Sequence, residues 1–224
     1  MHADVRSMNP PFRLLPVIPD VEDKDLRALT HLIQHPITGW VYRKRFKMVL
    51  DLCDVPKRRV LELGFGVGYL AYALAPFTER YYGIDIHQYS RKVEDTLRTC
   101  GICNVKLCHA DARNLEIIPS HSIDLIVSVS CLEHIKEQNL VQSEVKRILK
   151  PHGYAIYGMP IKNSFTHLLF KSVGYNDEEI HPSKPMDTIH FAHENGLYIV
   201  EEKFFPISFG HRIGLYWAAK FEKK

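Results

Sequence analysis

The chain has 224 residues, 46% of them hydrophobic and 25% charged, which suits one well-filled globular domain better than two. Its formal net charge is +3, with Lys+Arg 29 against Asp+Glu 26, too mild to imply a nucleic-acid partner by charge alone. Five cysteines (Cys53, Cys100, Cys103, Cys108 and Cys131) are odd in number and irregular in spacing. They give no disulfide framework, so a reducing, cytoplasmic setting is expected. Residues 1–20 lack the apolar run of a secretory leader, and no stretch is apolar enough to suggest a membrane span.

In chain order, the Pro-rich stretch from Met1 to Pro19 reads as an extended arm. Asp20 is expected to cap a helix running to about Ile33. A second helix should run from Pro36 to about Leu52, with Trp40, Val41, Phe46, Val49 and Leu50 as its apolar stripe. Arg43, Lys44, Arg45 and Lys47 give it a basic face; the preferred reading is an amphipathic helix packed on the sheet, the others a peripheral membrane contact or a cover over the site. Strands are then expected at Arg59–Leu63, Tyr81–Asp85, Val105–Cys108, Ile123–Val129 and Tyr154–Met159. Helices should lie between them at Tyr69–Ala75, Tyr89–Thr99 and Gln138–Leu149, the last stopped by Pro151. This alternation predicts a parallel sheet covered on both faces. Beyond Pro160 the order changes. Helices are expected at Asn163–Val173 and Met186–Asn195, then two strands, Leu197–Phe205 and Arg212–Phe221, paired antiparallel.

The segment Val60-Leu-Glu-Leu-Gly-Phe-Gly-Val-Gly-Tyr69 carries the sharpest chemistry. Gly64, Gly66 and Gly68 follow a buried strand and open a helix, a turn where a ligand can approach the backbone closely. A dinucleotide fingerprint needs G-x-G-x-x-G, and Tyr69 stands where its last glycine would be. Glu62 suits an amino group or other cation better than a phosphate. Asp85, at the end of the second strand, can accept from two ribose hydroxyls, and Asp111, after the third, from an adenine amine. Together they outline a nucleoside-sized cleft at the carboxyl ends of adjacent strands.

These segments resemble the class I S-adenosylmethionine-dependent methyltransferases. The glycine motif Glu62–Gly68 matches their first motif, Asp85 their ribose acid, and Asp111 with Ala112 their adenine side. Ile123–Ile135 resembles their fourth motif, and Ile148–Tyr157 the strand that follows. The resemblance implies a doubly wound, Rossmann-like α/β sheet of seven strands with an antiparallel C-terminal pair. Residues 1–55 would be an N-terminal arm and helical cap, and 56–224 the cofactor-binding part of a single structural domain. It further implies that Glu62, Gly64, Phe65, Gly66, Gly68, Asp85, Ile86, Asp111, Ala112 and Ser128 hold S-adenosylmethionine, with S-adenosylhomocysteine as product.

Methyl transfer to a small-molecule or lipid-like acceptor is the implied activity, with oxygen slightly favoured as the atom methylated. Glu133 and His134, after the fourth strand, are the candidate catalytic pair; the other reading is a helix-entry pair that holds the loop. Some quinone-pathway O-methyltransferases carry a similar Leu-Glu-His segment at a divalent metal, but Ser130 stands where a further acid is expected, and no metal ligand is assigned. A nucleic-acid substrate is disfavoured, because no Asn/Asp-Pro-Pro-aromatic tetrad follows the fourth strand. Cys100, Cys103, Cys108 and His109 lack the paired spacing of a zinc site and fit a helix end and glycine turn instead. A scaffold that binds the cofactor without turnover and a nicotinamide-dependent oxidoreductase are the alternatives.

Overall fold

The computed structural model describes Leu15 and residues 22–162, 182–206 and 214–224. Most of the N-terminal arm, including Asp20, and the helix expected at Asn163–Val173 lie outside the described residues. So do His167, His181 and His211.

Seven strands form one sheet in the order β3-β2-β1-β4-β5-β7-β6. They are β1 (Lys57–Leu63), β2 (Thr78–Asp85), β3 (Val105–His109), β4 (Ile123–Val129), β5 (Leu149–Pro160), β6 (Leu197–Phe205) and β7 (Tyr216–Lys223). Strands β1 to β5 run parallel, and β7 lies antiparallel to both β5 and β6. The expected seven-stranded sheet with an antiparallel C-terminal pair is therefore present.

The helices are α1 (Lys24–Gln34), α2 (Pro36–Leu50), α3 (Tyr69–Leu74), α4 (Ser90–Thr99), α5 (Gln138–Ile148) and α6 (Pro185–Glu194). Burial alternates along the strands and so divides the core in two. Val60, Leu125 and Val127 pack on one face with residues of α1 to α4. Leu61, Leu63 and Ile126 pack on the other with α5 and α6. This two-sided winding places the carboxyl ends of β1, β2, β3 and β4 around a common crevice, where the order departs in both directions from β1 and β4.

Three expectations shift for identifiable reasons. The described cap of α1 is Asp23, whose Oδ1 accepts the Leu26 N–H at 3.1 Å. Pro151 does not stop α5; the helix ends at Ile148, and Leu149 already pairs with Ile123 across the sheet. The strand passes Pro151 through an irregular register between Ile123 and Leu125, tied there by Lys150 Nζ to Asp124 Oδ1 at 2.5 Å. Finally, α2 has no clean polar face. Its Val49 and Leu50 are buried as expected, whereas Trp40 is exposed and packs edge-on against Phe205. Arg45 turns inward, its guanidinium between the rings of Tyr42 and Tyr216.

Candidate active site

A cavity of about 550 Å³ opens at the carboxyl ends of β1 to β4, within the size range of small-molecule sites. Glu62, Gly64, Phe65, Gly66, Asp85, Ile86, Asp111 and Ala112 line one part of it. Leu26, Leu29 and Ile33 of α1, with Tyr42 and Phe46 of α2, line another. Ser130, Cys131 and His134 form a third wall after β4.

The glycine turn is built so that backbone faces the cavity. Gly64 (φ +77) and Gly66 (φ +51) both adopt a left-handed conformation that side chains rarely tolerate. Their constraints differ. A Cβ on Gly64 would lie 2.5 Å from both Cβ and Sγ of Cys131, so this glycine is required by packing. A Cβ on Gly66 would meet only Leu29 Cδ2, at 3.4 Å, and would otherwise project into open space. Gly66 thus leaves a cradle that a ligand can fill.

Asp85 ties the cradle to the second strand. Its Oδ2 accepts from Gly66 N–H at 2.8 Å and its Oδ1 from Ile86 N–H at 2.7 Å. Oδ1 also accepts the His87 N–H at a longer 3.4 Å; that long contact and the remaining lone pair of Oδ2 are the positions two hydroxyls would take. His87 buttresses the same turn: its Nε2 lies 2.9 Å from the Gly66 carbonyl and its ring packs edge-on against Phe65 at 4.7 Å. Sequence reasoning passed over His87, although its place two residues after the ribose acid was the available signal.

Glu62 is buried, with its Oε2 accepting from the Tyr81 hydroxyl at 2.7 Å. Burial pushes its carboxyl up to about 8, and the nearby Asp85 charge adds to the rise while the Tyr81 bond opposes it. Such a carboxyl is primed for a cationic partner, since a positive charge would restore its ionised form. A buried acid, a two-oxygen acceptor and an open glycine cradle in one cavity fit the amino group, ribose and backbone contacts of S-adenosylmethionine.

The adenine side differs from the simple expectation. Asp111 holds Arg113 through Nε at 3.0 Å and a second guanidinium nitrogen at 2.6 Å, and Arg113 continues to Glu137 Oε2 at 2.9 Å. The Arg113 hydrogen bond is the main cause holding Asp111 below its usual range. Arg113 thus bridges the loop after β3 to the start of α5, a feature the sequence did not disclose. Ile86 is exposed at the cavity and Ala112 is buried in its wall.

Three sequence candidates are not brought to the cavity surface. Gly68 (φ +85) caps α3, and a Cβ there would lie 2.7 Å from Val93 Cγ1, so this glycine serves packing against α4. Ser128 is buried and donates to the Leu63 carbonyl at 3.0 Å, so it holds β4 to β1. Ser130, two residues on, lines the cavity in its place. Glu133 is buried behind that wall, whereas His134 is exposed and lines the cavity. The end of the strand explains the first exchange: Ser128 still lies within β4, which ends at Val129, whereas the chain turns at Ser130 (φ +52), past the edge of the sheet. The catalytic candidates therefore divide into one group at the surface and one beneath it.

A family model described as a methyltransferase domain matches residues 61–157. The chain is 32% identical over 108 residues to a fatty-acid O-methyltransferase of Mycolicibacterium smegmatis, a match covering 46% of this chain and 38% of that protein. It is 29% identical over 98 residues to an uncharacterised methyltransferase of Bacillus subtilis, covering 43% and 38%. The chain thus spans well under half the length of these relatives. Among solved structures, a geranyl diphosphate C-methyltransferase from Streptomyces coelicolor, in complex with S-adenosyl-L-homocysteine, superposes with a TM-score of 0.68 at 10% identity, covering 92% of this chain and 85% of that one. The Bacillus subtilis protein superposes with a TM-score of 0.63 at 15% identity, covering 81% and 98%. These structural likenesses speak for the shared fold. The family match, over the glycine turn, both acids and the fourth strand, supports a class I S-adenosylmethionine-dependent methyltransferase domain at residues 61–157.

Proposed function

We propose that this protein transfers a methyl group from S-adenosylmethionine to a lipid-like acceptor, with an oxygen as the atom methylated. The carrying observation is that the nucleoside cradle shares one cavity with the apolar inner face of α1 and α2, where Leu26, Leu29, Ile33 and Phe46 offer a wall suited to a hydrocarbon chain. The matched relative that acts on fatty acids supports the same acceptor class.

Glu62 would hold the cofactor's amino group, Asp85 its ribose and the backbone at Gly64 to Gly66 the region between them. Asp111, Ala112 and Ile86 would surround its adenine. Bound there, the cofactor supplies an electrophilic methyl on a sulfonium, so the protein's main task is alignment. A carboxylate acceptor has no proton to lose. A neutral hydroxyl does, and His134 at the cavity wall is the group placed to receive it.

The test has two parts. Purified protein should bind S-adenosylhomocysteine in the micromolar range by calorimetry. Labelled methyl transfer should then be seen to dodecanoate or 1-dodecanol and be far weaker to a short acid such as acetate. Absence of binding by folded protein sinks the cofactor assignment, and equal transfer to acetate sinks the lipid-like acceptor.

The outer face of the cap extends this reading to a membrane surface. No described helix is long and apolar enough to cross a membrane. Trp40 is 48% exposed and Leu32 40%, and Lys44 lies over the Trp40 ring at 5.8 Å. An aromatic beside exposed cations suits an anionic lipid interface. Co-sedimentation with vesicles containing phosphatidylserine should weaken several-fold in Lys44→Glu; undiminished binding removes this contact. All five cysteines are free, which supports a reducing cytoplasmic setting that cell fractionation would check.

A further inference from the structure

The wall after β4 contains a small polar device to which three strands contribute. Tyr216 of β7 is buried, and its hydroxyl lies 3.0 Å from Ser130 Oγ, just past the end of β4. The ring reaches there across β5. A Cβ on Gly158 would lie 2.7 Å from the Tyr216 hydroxyl, so glycine at this position opens the path. The Gly158 carbonyl accepts the Ser130 N–H at 2.8 Å and so fixes the same residue through its backbone. Ser130 takes a left-handed conformation (φ +52), which a residue with a side chain adopts at a cost. Strain held by two hydrogen bonds marks a position whose geometry its surroundings impose.

The device ends in the cavity, between two of its walls. Ser130 lines the cavity, and Cys131 beside it packs on the glycine turn, where a Cβ on Gly64 would lie 2.5 Å from Cys131 Sγ. On the other side Arg45 is stacked on the Tyr216 ring at 5.1 Å and on the Tyr42 ring at 5.0 Å. Tyr42 belongs to the wall that α1 and α2 contribute. Ser130 is therefore a hydroxyl placed where the cofactor cradle meets the surface suited to a hydrocarbon chain. A buried phenol must place its hydrogen on an acceptor, and Ser130 Oγ lies at the right distance. A serine that accepts from Tyr216 keeps its own hydrogen to donate, into the cavity that it lines.

We propose that Ser130 and Tyr216 form a relay of two hydroxyls that binds and orients the acceptor's oxygen: Tyr216 donates to Ser130, and Ser130 donates to the acceptor. The proposal rests on the cavity being a methyl-transfer site for a lipid-like oxygen acceptor, and it names the groups that hold the polar end. A carboxylate suits the relay best. One of its oxygens can accept from Ser130 while the other is left to meet the methyl group, and a hydrogen bond to a charged oxygen is the stronger kind. Tyr216 is then a positioning residue that acts only through Ser130. Neither hydroxyl gains or loses a proton in this role.

The experiment is calorimetry of dodecanoate binding to the full chain saturated with S-adenosylhomocysteine, so that no turnover is needed. Ser130→Ala should weaken dodecanoate binding about tenfold or more, as expected for one lost hydrogen bond to a charged oxygen, while affinity for S-adenosylhomocysteine stays within about twofold. Tyr216→Phe, which keeps the ring stacked on Arg45, should weaken dodecanoate binding about threefold. The double variant should bind no more weakly than Ser130→Ala alone, because the effect of the phenol passes through Ser130. A purely structural role for Tyr216 would instead add its loss to that of Ser130→Ala. Ser130→Gly, whose backbone tolerates a positive φ, serves if the alanine variant does not fold. Native-strength dodecanoate binding in a folded variant without the Ser130 hydroxyl overturns the proposal. So does an additive double variant, or an equal loss of S-adenosylhomocysteine affinity. The same samples separate the two levels. If the native protein fails to bind S-adenosylhomocysteine or, once loaded, dodecanoate, the functional reading fails and the relay with it. If it binds both and Ser130 makes no difference, only the relay fails.

Discussion

Asp85→Ala should raise the dissociation constant for S-adenosylhomocysteine about a hundredfold, since losing two hydrogen bonds from a carboxylate to ribose costs about 1.5 kcal/mol each and about 1.4 kcal/mol is tenfold. The same substitution should also cost stability, which the sequence alone would not predict. Within the fold itself Asp85 accepts from the Gly66 and Ile86 N–H groups. Losing both should lower the thermal midpoint by several degrees, at about 1 kcal/mol per bond and about 2–4 °C per kcal/mol for a chain of this size. Asp85→Asn keeps one carbonyl acceptor and should fall between. Calorimetry and a thermal melt on the three proteins check both effects. Unchanged affinity in a folded alanine variant would show that the ribose is not held at Asp85.

That double duty illustrates where sequence reading succeeds and where it stops. The sheet was legible because its signals are local. Val60, Leu61 and Leu63 form an apolar run into glycines, and Ile123 to Val129 is rich in β-branched residues. The glycine turn and its two acids were legible because their spacing along the chain fixes their meeting in the fold. The exchange of Ser128 for Ser130 was not, because it depends on where β4 ends, and a shift of two residues moves a side chain from an interior contact to the cavity wall. Arg45 was hidden for a different reason. In Trp40-Val-Tyr-Arg-Lys-Arg-Phe46 it is one cation among several, and only the arrival of Tyr216 from the far end of the chain turns it inward. The latch from Asp111 through Arg113 to Glu137 likewise joins residues 24 apart that no periodicity connects. The chain shows its scaffold in neighbouring residues and keeps its tuning in distant ones.

The same distinction sharpens the expected behaviour of Glu62. Its carboxyl is pushed up to about 8, mainly by burial, with Tyr81 lowering it and Asp85 raising it. An unfolded glutamate has a pKa of about 4.3. Between those values the folded chain holds a proton that the unfolded chain releases, so this group's contribution to stability falls as pH rises from about 4 to about 8. Cofactor binding runs the other way. An ammonium beside Glu62 favours the ionised carboxylate, so below about pH 8 binding must expel a proton. Affinity for S-adenosylhomocysteine should therefore climb from pH 6 to pH 8, by up to about tenfold per pH unit, before the ligand's own ammonium begins to deprotonate. Calorimetry at pH 7 in two buffers of different ionisation enthalpy should detect up to one proton released per ligand bound. Glu62→Gln should abolish the release and weaken binding, while keeping a side chain that still accepts from the Tyr81 hydroxyl. Proton release that persists in the glutamine variant would move the source to another group, and a flat affinity profile in the native protein would mean that the ligand's ammonium does not lie against Glu62.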